Sequence, residues 1–414
     1  MSISRRYFIK NSGIAMLGMA ALPSFLQRAV AAIGGPGKKK MVVLFQRGAV
    51  DGLNVVVPFA EPRYYELRPT IAIPQPSQGG ADAAIDLDGF FGLHPNLQPL
   101  HPLFQNGQLA IVQAVGSPDP TRSHFDAQDF MESGTPGVKA TQDGWLNRSL
   151  QATPEPQASP FRAVAFGPYL PRTLEGSAPA VAIPDLKQFK MYGPQTVEGG
   201  FESMYAQTLD QALRGVGQET FEAIDQLKKI DPDSYQPENG AQYPNSRFGK
   251  SLQEIAELFK ANVGLEVAFL DSGGWDHHVN EGGVQGRLAT LLTDLGQGIA
   301  AFHQDMADRM EDIVFVSMSE FGRTAHENGN RGTDHGHANC MFVMGGGVKG
   351  GKVYTRWPGM NDGQLYQDRD LAVTTDYRSV LSEIISKHLG NRDLATVFPG
   401  FSNDPNGYLS ILKA

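Results

Sequence analysis

The sequence predicts a doubly wound α/β fold, in which helices flank a mostly parallel sheet, and three observations support this. Hydrophobic side chains make up 41% of the 414 residues, enough to build a large core. Six short apolar runs recur along the chain, as expected of strands buried on both faces. A long amphipathic segment separates two of these runs, and such a strand–helix–strand unit implies parallel pairing.

The predicted elements follow the order of the chain. The strands are 41–45, 109–112, 163–166, 266–270, 313–317 and 341–344. Apolar residues at steps of three and four between positions 288 and 310 define the stripe of a long helix. Further helices are predicted near 200–229, 247–264 and 376–389. We expect one domain over 32–414, in which 170–246 forms a helical insertion or cap.

Residues 1–31 have the features of an export signal. Arg5 and Arg6 lie in a twin-arginine motif, an apolar stretch runs from 13 to 26, and residues 29–31 form a small-x-small cleavage site. The apolar stretch is shorter than the ~20 residues that a spanning helix needs. We therefore expect the twin-arginine translocase to export the folded protein to the periplasm or beyond, without a stable membrane anchor.

Charge and motif content exclude several classes of protein. The net charge of −9 argues against nucleic-acid binding, which needs clustered lysine and arginine. The single cysteine, Cys340, excludes an internal disulfide and a cysteine-based zinc cluster. The sequence contains no phosphate-binding P-loop, no GxSxG elbow and no HExxH helix. Any chemistry must therefore come from polar residues near the strand ends, where α/β sheets form their sites.

Asp51 and Ser123 follow the first two predicted strands. Asp51 lies among glycines that allow a tight turn, and it is either a metal ligand or a turn aspartate bonded to its own backbone. A helical pattern begins at Ser123, so its hydroxyl is an N-cap or, in the positive field of a helix N-terminus, a nucleophile. Both alternatives stay open at each position.

Carboxylates and imidazoles gather after the fourth predicted strand. Asp271, Asp276, His277 and His278 fall within eight residues around a Gly-Gly turn. Aspartate and histidine together suit zinc or another divalent ion, whereas the alternative is a hydrogen-bonded turn with surface histidines. Because the two histidines are adjacent, we expect only one to point inward, and we prefer His278.

The densest group of potential ligands follows the fifth predicted strand. Glu320 and Arg323 come first, and Asp334, His335 and His337 follow. His335 and His337 are two residues apart, so they would face the same side of an extended segment. Five of the ten histidines fall inside these clusters, which favours a ligand role over a structural one.

Such groups could hold one divalent metal ion, or two about 4 Å apart, and support a displacement at phosphorus or sulfur. In this scheme Ser123 is the nucleophile. Arg122 or Arg323 neutralises the charge on the transferred group, and His124 or the other free imidazole protonates the leaving oxygen as general acid.

Six segments of the chain resemble, in the right order, the exported bacterial family called domain of unknown function 1501. These segments are RGAVDGLN (47–54), RSHFDAQ (122–128), GGWDHH (273–278), SEFGRT (319–324), GTDHGH (332–337) and TTDYR (374–378). That family in turn is similar to the alkaline phosphatase and sulfatase superfamily. The resemblance implies an alkaline phosphatase-like fold and a bound divalent metal, zinc in the first place and otherwise calcium, magnesium or manganese.

The superfamily pattern also implies roles for individual residues. Asp51 would match the first-strand metal ligand, and Ser123 the nucleophile. Further ligands would be Asp271 or Asp276 with His278, and Asp334 with His335 or His337. The chain departs from the pattern after the fifth strand, where Glu320 and Phe321 stand in place of Asp-His. A second metal site would then be altered or absent.

We therefore expect an exported, metal-dependent hydrolase of phosphate or sulfate esters, acting on a small-molecule or polymer ester. The alternative is a non-catalytic binding or assembly protein of the cell envelope that retains the fold. The same residues also allow hydrolysis of an amide or carboxylic ester.

Overall fold

The computed structural model describes residues 38–78, 80–155, 158–186, 235–402 and 408–413. The predicted signal at 1–31, the predicted helix near 200–229 and residues 187–234 of the predicted insertion lie outside these ranges. In the described ranges, no helix has both the length and the apolar character needed to cross a bilayer.

A nine-stranded sheet forms the centre of the described part of the fold. Its strands are β1 (Lys40–Arg47), β5 (Leu109–Gly116), β6 (Ala163–Phe166), β7 (Val181–Ala182), β8 (Val267–Gly273), β9 (Ile313–Met318), β10 (Asn339–Gly345), β11 (Lys352–Tyr354) and β12 (Thr375–Asp376). The order is β11-β5-β10-β9-β1-β8-β6-β7, and β12 pairs with β5. Only β10 runs antiparallel to its neighbours, so the predicted mostly parallel α/β sheet is confirmed. A second sheet joins β2 (Val56–Val57), β4 (Gly92–Leu93) and β3 (Ile85–Asp86) in the order β2-β4-β3.

Helices pack on both faces of the central sheet. They are α1 (Gly52–Val55), α2 (Pro62–Leu67), α3 (His101–Gln105), α4 (His124–Ser133), α5 (Trp145–Ala152), α6 (Arg247–Lys260), α7 (Arg287–Met306), α8 (Tyr377–Lys387) and α9 (Leu394–Val397). Short 3-10 turns cover Pro76–Gln78, Pro95–Leu100, Arg172–Leu174 and Ala307–Asp312. The predicted long helix is therefore α7, although its apolar stripe ends in a 3-10 turn that contains Met310.

Strand β1 shows why the apolar runs are continuous. Val42 and Leu44 point into the layer that contains α6 and α7, whereas Met41, Val43 and Phe45 point into the layer that contains α8. All five side chains are fully buried. Because successive side chains of a strand alternate between the two faces, burial on both faces makes every position apolar.

The crossover from β8 through α7 to β9 positions the polar loops. Strands β8 and β9 lie on either side of β1 and run parallel to it, with Phe45 level with both Asp271 and Met318. The carboxyl ends of the three strands therefore meet at one edge of the sheet. Antiparallel β10 starts at the same edge, because Asn339 pairs with Val115 near the end of β5.

Candidate metal centre

Four side chains converge at this edge, and we call His124, Asp276, His278 and His335 the imidazole centre. His124 is the first residue of α4. Asp276 and His278 follow β8, after a turn in which Gly274 has a φ of +93° that favours glycine. His335 lies in the loop that leads into β10.

Ring nitrogens of His124 and His278 both face the same ring nitrogen of His335. The Nε2 atom of His335 is 2.9 Å from Nε2 of His124 and 3.0 Å from Nε2 of His278. The Asp276 carboxylate lies 2.9 Å from Nε2 of His278, 3.3 Å from Nε2 of His335 and 3.5 Å from Nε2 of His124. The ligand atoms of His124, Asp276 and His335 all lie within 4.8 Å of one another, so these three groups could hold a shared cation, and His278 adjoins them through His335 and Asp276.

The opposite nitrogen of each ring is held by an oxygen atom. Nδ1 of His335 donates to the backbone oxygen of Arg122 at 2.7 Å, because a carbonyl oxygen can only accept. Nδ1 of His124 donates to Glu320 at 2.8 Å, and Nδ1 of His278 donates to Asp334 at 2.8 Å.

In a neutral ring, this position of the Nδ1 proton leaves a lone pair on the Nε2 atom that faces the centre. Neutral imidazole has one ring proton, and here an oxygen acceptor fixes that proton on Nδ1. Metal-binding histidines have the same arrangement, in which the far nitrogen donates to a carboxylate or a carbonyl. The residues present therefore fit a bound cation.

Arg323 keeps the Asp276 carboxylate ionised. Burial alone would raise the pKa of Asp276, but the hydrogen bond and the charge of Arg323 outweigh it and lower that pKa. The Nη1 atom of Arg323 lies 2.7 Å from the carboxylate, and Nε donates to the Thr333 hydroxyl at 3.1 Å. The Arg323 side chain is fully buried. The Arg323 guanidinium is therefore hydrogen-bonded to protein groups. Its buried position does not support the prediction that Arg323 binds the oxyanion of a substrate.

Glu320 orients the imidazole centre from behind. Its Oε1 atom accepts hydrogen bonds from Nδ1 of His124, the backbone nitrogen of Gly48 and the side chain of Gln128, all at 2.8–2.9 Å. Burial would raise the pKa of Glu320, but these hydrogen bonds lower it. Because Oε1 is filled by donors, the structure places Glu320 beside the cluster rather than among the predicted ligands.

Asp334 has a similar position behind His278. It accepts from Nδ1 of His278 and, at 3.2 Å, from the side chain of Asn328. Burial would raise the pKa of Asp334, but the hydrogen bonds from His278 and Asn328 lower it. Asp334, predicted as a metal ligand, therefore orients His278 through this hydrogen bond.

Two other predicted ligands, Asp51 and Asp271, lie in ion pairs outside the centre. Both oxygens of Asp51 are bound by the guanidinium of Arg68, and both side chains are buried. Asp271 accepts from Nε of Arg47 at 2.7 Å. In each case an arginine occupies the carboxylate that the sequence offered to a metal.

The histidine pairs separate in the structure. His278 reaches the centre, as preferred, whereas His277 is buried next to it with 4% exposure. His335 also reaches the centre, but the ring of His337 stacks on Tyr366 with 4.5 Å between centroids. An isolated antiparallel bridge pairs His335 with Arg323 and the chain bends at His337, so the two rings do not share one face of an extended segment.

The helix α4 start combines two of the predicted roles. Ser123 is the N-cap of α4 and accepts from the Asp126 backbone nitrogen at 3.4 Å, which confirms the N-cap prediction. His124, predicted as a general acid, instead contributes its Nε2 atom to the centre. The Arg122 guanidinium is already paired with Asp370, at 2.5 Å. Arg122 instead contributes its backbone oxygen to the site, where that oxygen accepts from Nδ1 of His335.

The sequence interpretation missed three supporting residues. Gln128 lies four residues after His124 on α4 and bonds the same Glu320, a spacing that places both on one helix face. The buried ring of Phe321 packs 5.0 Å from the ring of His124 and 5.2 Å from that of His335. Asn328 holds Asp334, and no local signal pointed to it.

The chain is similar to several solved structures. A sulfatase from Pseudoalteromonas sp. aligns with a TM-score of 0.40 and 13% identity, over 92% of this chain and 77% of the other. The C-terminal periplasmic domain of EcEptC from Escherichia coli, in complex with Zn, aligns with a TM-score of 0.35 and 10% identity. The alignment covers 76% of this chain and 74% of the other. A phosphonate monoester hydrolase of Agrobacterium radiobacter aligns with a TM-score of 0.33 and 12% identity. The alignment covers 89% of this chain and 79% of the other.

Sequence comparison identifies a family. None of the curated proteins matches this chain. The family described as "Protein of unknown function (DUF1501)" matches residues 38–394, which include all four residues of the imidazole centre. The predicted resemblance is confirmed, and the chain belongs to this family.

Proposed function

We propose that the imidazole centre binds one zinc ion and that the protein hydrolyses phosphate or sulfate esters there. The observation that carries this proposal is the convergence of three Nε2 atoms on one carboxylate. Nitrogen-rich sites suit zinc, whereas calcium and magnesium prefer oxygen ligands. Bound zinc would stabilise negative charge that develops on the ester oxygens.

Access of solvent to the centre supports a catalytic use. The side chains of His124 and His335 are 22% and 23% exposed, and those of Asp276 and His278 are 40% and 41% exposed. A substrate can therefore approach the converging atoms without unfolding of the loops.

Ser123 is the proposed nucleophile. It directly precedes His124 in the chain, and its hydroxyl lies at the N-terminus of α4. In the first step its oxygen bonds to phosphorus or sulfur and releases its proton to water, while the ester bond breaks and the leaving oxygen takes a proton from water. Water then cleaves the seryl ester and restores the hydroxyl. The positive end of the helix favours the anionic group throughout.

The test compares three variants at this position with zinc-loaded parent protein on 4-nitrophenyl phosphate and sulfate. Ser123→Ala and Ser123→Gly remove the hydroxyl, and we expect kcat to fall at least about 10³-fold. Ser123→Thr keeps both the hydroxyl and the cap, so it should retain measurable turnover. Zinc content should stay unchanged in all three.

The glycine variant is the control for stability, because glycine replaces a serine N-cap at a cost of only a few tenths of a kcal/mol. Undiminished turnover in Ser123→Gly with full zinc content would remove Ser123 as nucleophile. Absence of turnover in the zinc-loaded parent would remove the hydrolase proposal itself.

One observation favours the second candidate, a non-catalytic envelope protein. If all four residues of the centre bind zinc, they complete its tetrahedral shell, as in structural sites. The visible spectrum of cobalt-substituted protein separates the two cases. A shift on addition of inorganic phosphate indicates an open position and supports catalysis, whereas an unchanged spectrum supports the binding protein.

We also propose export by the twin-arginine pathway to the periplasm or the medium. The motif around Arg5 and Arg6 supports this proposal. Replacement of both arginines by lysine should retain the full-length protein in the cytoplasm. Equal amounts in the periplasmic fraction for parent and variant would contradict it.

A further inference from the structure

A buried carboxylate outside the imidazole centre is joined to the centre by a single residue, Arg122. Asp370 is fully buried, and its Oδ2 atom accepts hydrogen bonds from Nε of Arg122 at 3.1 Å and from Nη2 at 2.5 Å. The backbone oxygen of the same Arg122 accepts from Nδ1 of His335 at 2.7 Å. Arg122 therefore contacts Asp370 with its side chain and His335 with its backbone.

Asp370 and His335 are both paired with one short segment of the chain. Isolated antiparallel bridges join His335 to Arg323 and Asp370 to Thr324. The backbone nitrogen of Thr324 also donates to the backbone oxygen of Asp334 at 2.9 Å. Because these backbone contacts meet on two adjacent residues, they restrict the movement of Asp370 relative to His335.

Arg122 itself lies in an irregular segment, 117–123, between β5 and α4. Three backbone nitrogens of this segment bond to side-chain oxygens within the segment, at 2.9–3.2 Å. These local bonds shape the segment but do not connect it to another element. The ion pair with Asp370, which is 248 residues away in the chain, makes such a connection. A charge-assisted bond of this kind is stronger than a neutral hydrogen bond.

The turn that carries Asp370 has an unusual backbone. Tyr366 and Asp370 exchange two backbone hydrogen bonds, of 2.8 and 3.0 Å. Between them, Gln367 and Asp368 have φ angles of +54° and +52°. Residues other than glycine are uncommon in this left-handed region and persist there when the surrounding contacts require it. The side-chain oxygen of Gln367 accepts from Nη2 of Arg122 at 2.9 Å, so the turn directs two acceptors to one guanidinium.

We propose that Asp370 is a positioning residue of the imidazole centre. Its ion pair with Arg122 sets the direction of the Arg122 carbonyl, and that carbonyl holds Nδ1 of His335 so that Nε2 points toward the shared cation. Oxygen atoms behind a metal-binding histidine orient the ring in this way, and here a buried carboxylate orients the oxygen. The inference rests on the proposed function for the cation, whereas the path from Asp370 to His335 consists of hydrogen bonds within the protein.

The first measurement is the exchange with water of the Nδ1 proton of His335, followed by NMR in zinc-free, full-length protein with isotope-labelled histidine. A His335→Ala variant identifies the signal. Asp370→Ala should accelerate the exchange about tenfold, as expected when one hydrogen bond weakens. Competition with a chelator should then show that the same variant binds zinc about tenfold more weakly.

Arg122→Ala is the second variant, because it removes the guanidinium, whose side chain is partly exposed, and keeps the backbone oxygen. It should have the same two effects. The double variant with Asp370→Ala should show no further effect, because both residues act through one path. Gln367→Ala is the matched control, since it removes only the exposed contact to the same guanidinium, and it should change both quantities by less than about twofold.

Unchanged proton exchange or unchanged zinc affinity in Arg122→Ala would overturn the inference, and so would additive effects in the double variant. Arg122→Ala decides the question if Asp370→Ala does not fold. If the variants accelerate exchange as expected but the parent binds no zinc, the role of Asp370 in orienting His335 is supported and the proposed function is rejected.

Discussion

The imidazole centre and the cluster around Asp51 lie at the same edge of the sheet but differ in the exposure and the partners of their carboxylates. Asp51 follows β1, and Asp276 follows the adjacent strand β8. The Asp51 carboxylate is 2% exposed and both of its oxygens are bound by Arg68. The Asp276 carboxylate is 40% exposed and lies within 3.5 Å of three imidazole Nε2 atoms.

The Asp51 cluster is complete within the protein. Besides Asp51, the Arg68 guanidinium donates to Asn54 and to the backbone oxygens of Thr324 and Ala325, all at 2.8–2.9 Å. Every guanidinium nitrogen of Arg68 is thus used, and the cluster ties the 324–325 loop to the end of β1. The comparison shows that Arg68 occupies both oxygens of Asp51, whereas the contact of Arg323 with Asp276 is to Oδ1 of a carboxylate that stays partly exposed.

A buried chain of hydrogen bonds connects the two regions. Arg323, which holds Asp276, also donates to the Thr333 hydroxyl, and that hydroxyl donates to Glu281 at 2.7 Å. Burial, and then the charge of Asp51, raise the pKa of Glu281 well above its ordinary value. Burial and the nearby negative charge of Asp51 therefore favour the protonated form of Glu281, which lies between the two clusters.

The largest effect is expected from Asp51→Ala. This variant leaves Arg68 as a buried charge without its carboxylate, so the zinc-free protein should lose about 3–5 kcal/mol of unfolding free energy. Urea unfolding measures the loss. Asp51→Asn, which keeps a hydrogen-bond acceptor, should lose less and should bind zinc with full stoichiometry.

Asp271→Ala is the control for this comparison, because Asp271 is 44% exposed and its partner Arg47 also pairs with Glu132. Its effect should stay within about 1 kcal/mol. If Asp51→Asn remained fully stable but lost zinc, Asp51 would belong to the metal site and the contrast would be wrong.

The next effect in size concerns His335→Ala. Loss of a ligand should weaken zinc binding by more than about 100-fold, or about 2.7 kcal/mol, as measured by competition with a chelator. The unfolding free energy of the zinc-free protein should change by less than about 1 kcal/mol, because the ring is partly exposed and its Nε2 atom contributes little without metal.

Gln128→Ala is the matched variant behind the centre. It removes one donor to Glu320 but no ring nitrogen, so zinc affinity should fall by about tenfold only. Equal losses in the two variants would mean that His335 orients the site rather than binds the metal.

The smallest effect is a change in pH dependence in Glu281→Gln. Because the folded-state pKa of Glu281 is raised, its contribution to stability is fully present below about pH 4.3, the ordinary glutamate value, and is lost as the pH rises through the folded-state value. Glutamine does not titrate, so the unfolding free energy of the variant should increase relative to that of the parent as the pH rises. Urea unfolding of zinc-free protein at pH 4 and pH 8 measures the difference, and an identical difference at both values would contradict it.

Much of the fold could be predicted because buried strands impose a local composition. The apolar run at 163–166 coincides with β6, and the periodic stripe after residue 288 coincides with α7. The His124 side of the site was also visible, since a capping serine and a helical pattern are local features. The resemblance to a family placed the remaining motifs in order, but it assigned Asp51 to the metal, and Glu320 was counted among the potential ligands although it departs from the superfamily pattern.

The sequence by itself determined the parallel sheet, the edge where polar loops gather and the residue types available for a metal. Only the tertiary structure decided which of them converge, since Arg68 and Arg323 lie far along the chain from the carboxylates that they bind. An ion pair or a metal site depends on distances of a few ångströms between residues that are distant in sequence. Local patterns record helix and strand periodicity, and they contain no information about those distances.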